Sequence, residues 1–228
     1  MSKNFKIRVV VGVIMLIIAL ITLPIYDAII FRILFGLFAV VAMIELFSFF
    51  KKRFTFITVL LATIELLFLV CSIIYVVKTD LSYFWYVVLG VPGYDVFAYF
   101  FGTLIGGKIF KKSRPFPRIS KNKTWEGTIL GLITSTVLVA ILMNVREAFS
   151  TDWYYLLCGP FALIGDLFES FLKRRFGIKD SNEIVIKNKV FKKLELVVGG
   201  SEGHGGFLDR IDSTAFSTTV LLIISFMV

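Results

Sequence analysis

The sequence is poor in the residues that build most soluble catalytic sites and stapled domains: it has one histidine, two cysteines and only 18% charged residues in a chain of 228. Cys71 and Cys158 each sit inside an apolar run, where a thiol behaves as a small hydrophobe, so neither a disulfide framework nor a zinc site is suggested. The lone His204 is not a metal ligand on spacing alone. GxxxxGK followed by Ser or Thr is absent, as is a GxGxxG between a strand and a helix, which removes the common nucleotide-binding loops. No internal repeat or low-complexity tract occurs. Lys3, Lys6 and Arg8 precede an apolar run in the manner of a secretory leader, but no small-residue cleavage site follows and more apolar runs do, so the run is read as a first span.

What is abundant is apolar surface. The chain is 57% hydrophobic and holds 25 phenylalanines, too apolar for a soluble domain of this length. Crossing about 30 Å of hydrocarbon takes roughly 20 apolar residues in a helix. Sliding that length along the chain predicts spans at about 8 to 24, 28 to 50, 54 to 77, 81 to 102, 126 to 143, 153 to 172 and 214 to 228. The expected fold is therefore all-α, a polytopic integral membrane bundle of about seven transmembrane helices. It forms a single membrane domain over 1–228, with N-terminal spans in 1–80 and catalytic spans and loops in 81–228.

Lys and Arg accumulate on the cytoplasmic side of membrane proteins. With the N-terminus in the cytoplasm, the tail and residues 51 to 53, 103 to 125 and 173 to 213 fall on that side and hold 22 of the 25 Lys and Arg. The formal charge of +9 thus lies in clusters between apolar runs rather than on one soluble face, which favours a membrane surface or a phosphate partner over nucleic acid. The expected location is the cell (inner) membrane, with the working surface toward the cytoplasm.

Ionisable groups at membrane depth are costly and usually face a bundle interior or a water-filled cavity. Asp95, Asp166 and Glu169 are the ones to explain. Asp95 follows Pro92, Gly93 and Tyr94, and a kinked helix with one polar packing contact is as good a reading of it as a functional one. In GDLFESFLKRR, Asp166, Glu169, Ser170 and Lys173 recur at i, i+3, i+4 and i+7 and share one helix face, which suits a hydrated cation and a phosphate together. Lys173, Arg174 and Arg175 also suit a headgroup anchor, and for Arg174 and Arg175 that reading is at least as good. In GHGGFLDRIDS, glycines around His204 permit a tight turn before Asp209, Arg210 and Asp212. Asp166 and Asp209 meeting from two helices would give the oxygen-rich site that Mg²⁺ or another hard divalent cation prefers when it also holds substrate phosphates. The middle of that loop carries EIVI and LELVV, which read as a hairpin.

In these residues the chain resembles the phosphatidate cytidylyltransferases, also called CDP-diacylglycerol synthases. SFLKRRFGIKD at 170 to 180 and HGGFLDRID at 204 to 212 match the two halves of that family's signature, and DVFAYFFG at 95 to 102 and SKNKTWEG at 120 to 127 match its upstream block. The resemblance covers roughly residues 90 to 228. It departs at Lys121 and Asn122, where the family has Pro and Lys, and at residues 182 to 202, read as an insertion between the signature halves.

The resemblance implies transfer of CMP from CTP to phosphatidic acid, with release of pyrophosphate. It implies Asp166 and Asp209 as metal ligands, with Mg²⁺ or another hard divalent cation and room for a second cation. Ser170, Lys173, Lys179 and Lys123 would hold phosphates or the metal's water shell, and Arg210, His204, Asp95 and Arg174 would line the substrate site. Partners would be CTP, phosphatidic acid and membrane lipid; a homodimer is compatible and nucleic acid is not expected. Competing readings are a relative acting on another lipid phosphate, and a non-enzymatic polytopic anion or lipid carrier. A carrier should show charge reaching both faces, whereas the polar groups here gather on one side.

Overall fold

The computed structural model describes residues 28–111, 114–145, 152–179 and 206–227. Helix α1, Ala28–Ser48, shows the logic of the whole chain. Ile29, Ile33, Leu37, Val40, Ile44 and Phe47 recur every three or four residues and are all exposed, while Ala39, Ala42 and Leu46 on the other side are buried. An exposed apolar stripe about five turns long would aggregate in water; facing acyl chains it costs nothing. A short 3₁₀ turn, Phe49–Lys51, ends α1. Thr55 then starts α2, Phe56–Lys78, through a reciprocal cap in which the Thr58 amide donates to the Thr55 hydroxyl and the Thr55 amide to the Thr58 hydroxyl.

Four more helices follow among the described residues: α3, Leu81–Leu104; α4, Trp125–Val145; α5, Cys158–Phe176, entered through a 3₁₀ turn at Trp153–Leu157; and α6, Leu208–Ser225. Among the described residues, five segments are long and apolar enough to cross a membrane: Phe31–Lys51, Phe56–Lys78, Tyr83–Leu104, Trp125–Val145 and Trp153–Phe176. They coincide with five of the seven spans predicted from the sequence. The predicted first span, 8 to 24, and the hairpin and insertion at 182 to 202 lie outside the described residues. The last helix begins at Leu208 rather than 214, so Asp209 and Asp212 stand within its first turns. Pro92 lies inside α3, which continues through it as helix.

The helices alternate in direction, and contacts fix which ends meet. At one end Arg32 of α1 donates to the carbonyls of Val76 and Thr79 at the end of α2, and the hydroxyls of Tyr75 and Tyr155 lie 2.8 Å apart. At the other end the start of α6 meets α1, and the α3–α4 loop meets α5. The core is correspondingly in two parts. One joins α1, α2, α5 and α6 around Leu46, Leu69, Leu172, Leu208 and Ile211; the other joins α2 to α6 around Tyr86, Tyr94, Val139, Cys158 and Leu221.

Helices α3 and α4 pack backbone to backbone. A Cβ built on Gly131 would lie 2.8 Å from the Cβ of Ala98 and 2.9 Å from its Cα, so only glycine allows this approach. Close by, Ser135 of α4 donates to the Gly90 carbonyl at 2.7 Å, giving a buried hydroxyl its partner. Gly131→Ala is expected to destabilise the fold by about 1–3 kcal/mol, because the obstacle is backbone rather than a side chain that can rotate away. Thermal unfolding of the purified variant in detergent checks it, and an unchanged melting temperature would refute the packing argument.

Candidate active site

The charged residues at the loop end of the bundle form two neighbouring groups, both anchored on α5. A small residue makes their closeness possible: Gly165 faces α6 so tightly that a Cβ there would sit 2.9 Å from the Ser213 Cα. Asp166, the next residue, and Asp212 of α6 therefore lie on adjoining surfaces.

In the first group Lys123, from the loop before α4, forms an ion pair with Asp166. The Lys123 ammonium also stands 3.5 Å from the Tyr94 hydroxyl and 5.4 Å from the centre of that ring. Burial works against its charge, but the Asp166 carboxylate more than offsets this, and the lysine pKa lies above its ordinary value. The residue is fully protonated at neutral pH. Ser170, one turn on from Asp166, donates to its carboxylate at 3.4 Å. Asp95 and Asp212 both lie close enough to Asp166 for their charges to interact. A cavity of about 280 Å³ opens over this group, lined among others by Tyr94, Asp95, Asn122, Lys123 and Asp166.

The second group centres on Lys173, whose ammonium lies 2.6 Å from Glu169 and 2.5 Å from Asp209. The other Asp209 oxygen accepts the Gly206 amide at 2.8 Å. Glu169 is fully buried, and Lys173 is the cation beside it. Arg210 and Lys179 are exposed, and Arg174 is exposed and donates to the Ile178 carbonyl at 3.3 Å.

The structure thus brings Asp166, Ser170, Lys123 and Asp95 together, and Lys173 and Asp209 together beside them. Asp166 and Asp209, read from the sequence as a metal pair, face Lys123 and Lys173 respectively. His204 lies outside the described residues. Glu169, which the sequence placed on the α5 stripe without a role of its own, joins the site, as do Asp212 and Tyr94. Glu169 and Asp212 had a signal, since each is a carboxylate inside a predicted span or next to one; Tyr94, an aromatic among many, had none. Asn122, at the position where the sequence departs from its resemblance, also lines the cavity.

Two carboxylates buried at the start of α4 and the end of α1 complete this end of the bundle. Glu126 accepts the amides of Gly107, Ile109 and Phe110 at 2.9–3.0 Å and so ties down the turn after α3. Glu45 accepts the amides of Phe207 and Leu208.

A hard divalent cation can be tested against this donor set. Asp95, Asp166 and Asp212 supply carboxylate oxygens within electrostatic reach of one another, the chemistry such a cation selects. Among the described residues no three acidic, histidine or cysteine side chains are placed to hold a metal ion together. That fits Mg²⁺, which is usually held by one or two carboxylates and completes its shell with water and substrate phosphates.

A helical membrane bundle with carboxylates and lysines interleaved at one end is the class that fold and site define. Residues 76–186 match the model of the cytidylyltransferase family. It is similar to proteins named phosphatidate cytidylyltransferase from Rickettsia felis, at 38% identity over 136 residues (55% of this chain, 52% of that protein), and from Staphylococcus saprophyticus, at 33% over 181 residues (76% and 62%). A third, from Helicobacter pylori, is 36% identical over 118 residues, 50% of this chain and 38% of that protein. The chain spans about half the length of the Rickettsia felis relative.

Proposed function

We propose that the protein transfers CMP from CTP to phosphatidic acid, forming CDP-diacylglycerol and pyrophosphate for phospholipid synthesis. The observation that carries this reading is the convergence of Lys123, Asp166 and Asp95 on a cavity at the end of a membrane bundle, with the Lys173 group alongside. The relatives' names point to the same reaction.

In this reaction a phosphate oxygen of phosphatidic acid attacks the α-phosphorus of CTP, and the bond from that phosphorus to the bridging oxygen of the β-phosphate breaks. The nucleophile is already an anion, so what the site must supply is charge neutralisation and in-line positioning more than a general base. Lys123 and Lys173 are suited to this. Each ammonium is held against carboxylates in a partly buried setting, from which it can share its protons with incoming phosphate oxygens. Ser170 offers a further hydroxyl donor, and Tyr94 limits where the Lys123 head can go. Asp166, with Asp95 and Asp212 beside it, would hold a divalent cation, and such a cation when bound neutralises phosphate charge that two lysines alone leave uncompensated. Walls contributed by α3 and α5 would limit the approach of water to the α-phosphorus of CTP, which favours transfer over hydrolysis.

The basic residues described gather at the same end of the bundle as the cavity, including Lys51, Lys52, Arg53, Lys121, Arg174 and Arg175, whereas the opposite end holds Arg32 and Lys78. That asymmetry supports a cytoplasmic site in the cell membrane, where CTP is available.

The test is an assay of the purified chain with radiolabelled CTP, phosphatidic acid in mixed micelles and Mg²⁺. Labelled CDP-lipid is expected, dependent on both substrates. A folded protein that yields no such product would overturn the reading.

A further inference from the structure

We propose that Glu45 is a positioning residue for the catalytic end of α6, acting from a helix that lies outside the segment matched to the cytidylyltransferase family. A helix leaves its first amides without partners, and a residue at the N-cap usually satisfies one of them. Here the N-cap residue is Phe207, which has no side chain able to do so. Instead Glu45, 162 residues earlier in the chain, reaches across from α1. One carboxylate oxygen accepts the Phe207 amide at 3.0 Å and the other accepts the Leu208 amide at 2.9 Å. Glu45 is 3% exposed, and both amides are buried with it.

The preceding amide, Gly206, goes to Asp209, so three successive amides are divided between two carboxylates. Aromatic packing holds the same ribbon, with the Phe38 and Phe207 ring centres 5.0 Å apart. Asp209 is therefore set from two directions: its Oδ2 by Gly206 and its Oδ1 by Lys173. Moving the Phe207–Leu208 backbone would shift Asp209 against Lys173 and, one turn on, Asp212 against Asp166. Carboxylate charge at the positive end of a helix adds to the hold. The Glu45 carboxylate accepts from main-chain amides, so the effect proposed is on placement. As far as catalysis is concerned, this rests on the cytidylyl-transfer reading.

The experiment uses the full chain in nanodiscs, with Glu45→Gln, which keeps the shape but turns one of the two acceptors into an amide donor, and Glu45→Leu, which keeps neither. Thr63→Ala, on the exposed face of α2, is the control. Two readouts are taken: hydrogen exchange of the 206–211 segment by mass spectrometry, and kcat and KM for CTP. In Glu45→Gln the Phe207 and Leu208 amides should exchange about tenfold faster, as expected for loss of a hydrogen bond to a charged group. The kcat should fall about tenfold with KM for CTP within about twofold, because the change is in the alignment of reacting groups. Glu45→Leu should be worse in both and Thr63→Ala unchanged. Unaltered exchange overturns the proposal, and so does faster exchange with an unaltered kcat, which would make Glu45 a local cap and nothing more. An unmodified chain without turnover would overturn the cytidylyl reading, and the exchange rates alone would then uphold or overturn the clamp.

Discussion

Lys173→Met is expected to abolish turnover and to destabilise the protein by about 3–5 kcal/mol, the usual consequence of removing one partner from a buried ion pair. Its two partners explain why. The Glu169 side chain is 1% exposed and that of Asp209 13%, and both oxygens facing Lys173 lie within 2.6 Å of its ammonium. Without that ammonium, two carboxylates from different helices face each other in a low-dielectric space, and one must take up a proton or the helices must part. Methionine matches the lysine stem in length and flexibility, so little packing is lost and the effect isolates the charge. Adding Glu169→Gln in the same background removes the more deeply buried charge and should recover much of the melting temperature. It should not recover turnover, since the phosphate contact is still missing. A double-mutant cycle on thermal unfolding in detergent, with CTP turnover measured in parallel, separates the two roles. A single Lys173→Met variant that melts like the unmodified protein and keeps more than a tenth of its activity would exclude both.

The spans from α1 to α5 were legible because hydrocarbon thickness sets a length that the sequence must fill with apolar residues. The start of α6 was not, since a hydropathy window treats Asp209, Arg210 and Asp212 as loop. Their charges are accommodated by Lys173, by backbone amides and by the bundle interior, which lets the helix extend six residues further toward its N-terminus. The stripe on α5 was visible as one face, but residues at i and i+3 are offset by about 60° around a helix of 3.6 residues per turn. Asp166 and Ser170 therefore turn toward Lys123, while Glu169 and Lys173 turn toward Asp209. The sequence showed which residues carry chemistry more readily than which residues meet. Glu45 carried the same signal, a carboxylate inside a predicted span, but its partners were not legible, because they are main-chain amides that no residue type betrays.

Asp166→Asn is expected to lower turnover about 100-fold or more, on the scale seen when one preorganised electrostatic contact to a developing charge is removed. Its stability effect should be small, within about 1 kcal/mol, because the Asp166 side chain is 29% exposed and the Lys123 partner 18%, so water can replace much of the lost attraction. Two roles could produce the kinetic loss. If Asp166 serves mainly to aim Lys123, then Lys123→Met and Asp166→Asn should have similar effects, and the double variant should be little worse than either. If it holds a divalent cation, Asp166→Asn alone should raise the Mg²⁺ concentration needed for half-maximal activity, because an amide oxygen carries no charge to balance the metal. Direct Mn²⁺ binding, followed by electron paramagnetic resonance with no nucleotide present, then distinguishes them without relying on turnover: the Asn variant should bind Mn²⁺ at least tenfold more weakly, and Lys123→Met, which releases Asp166 from its ion pair, more tightly than the unmodified chain. The opposite sign for Lys123→Met would mean that the lysine and the cation do not compete for Asp166. Asp166 would then be an aiming group, and the cation would have to be sought at Asp209 and Asp212.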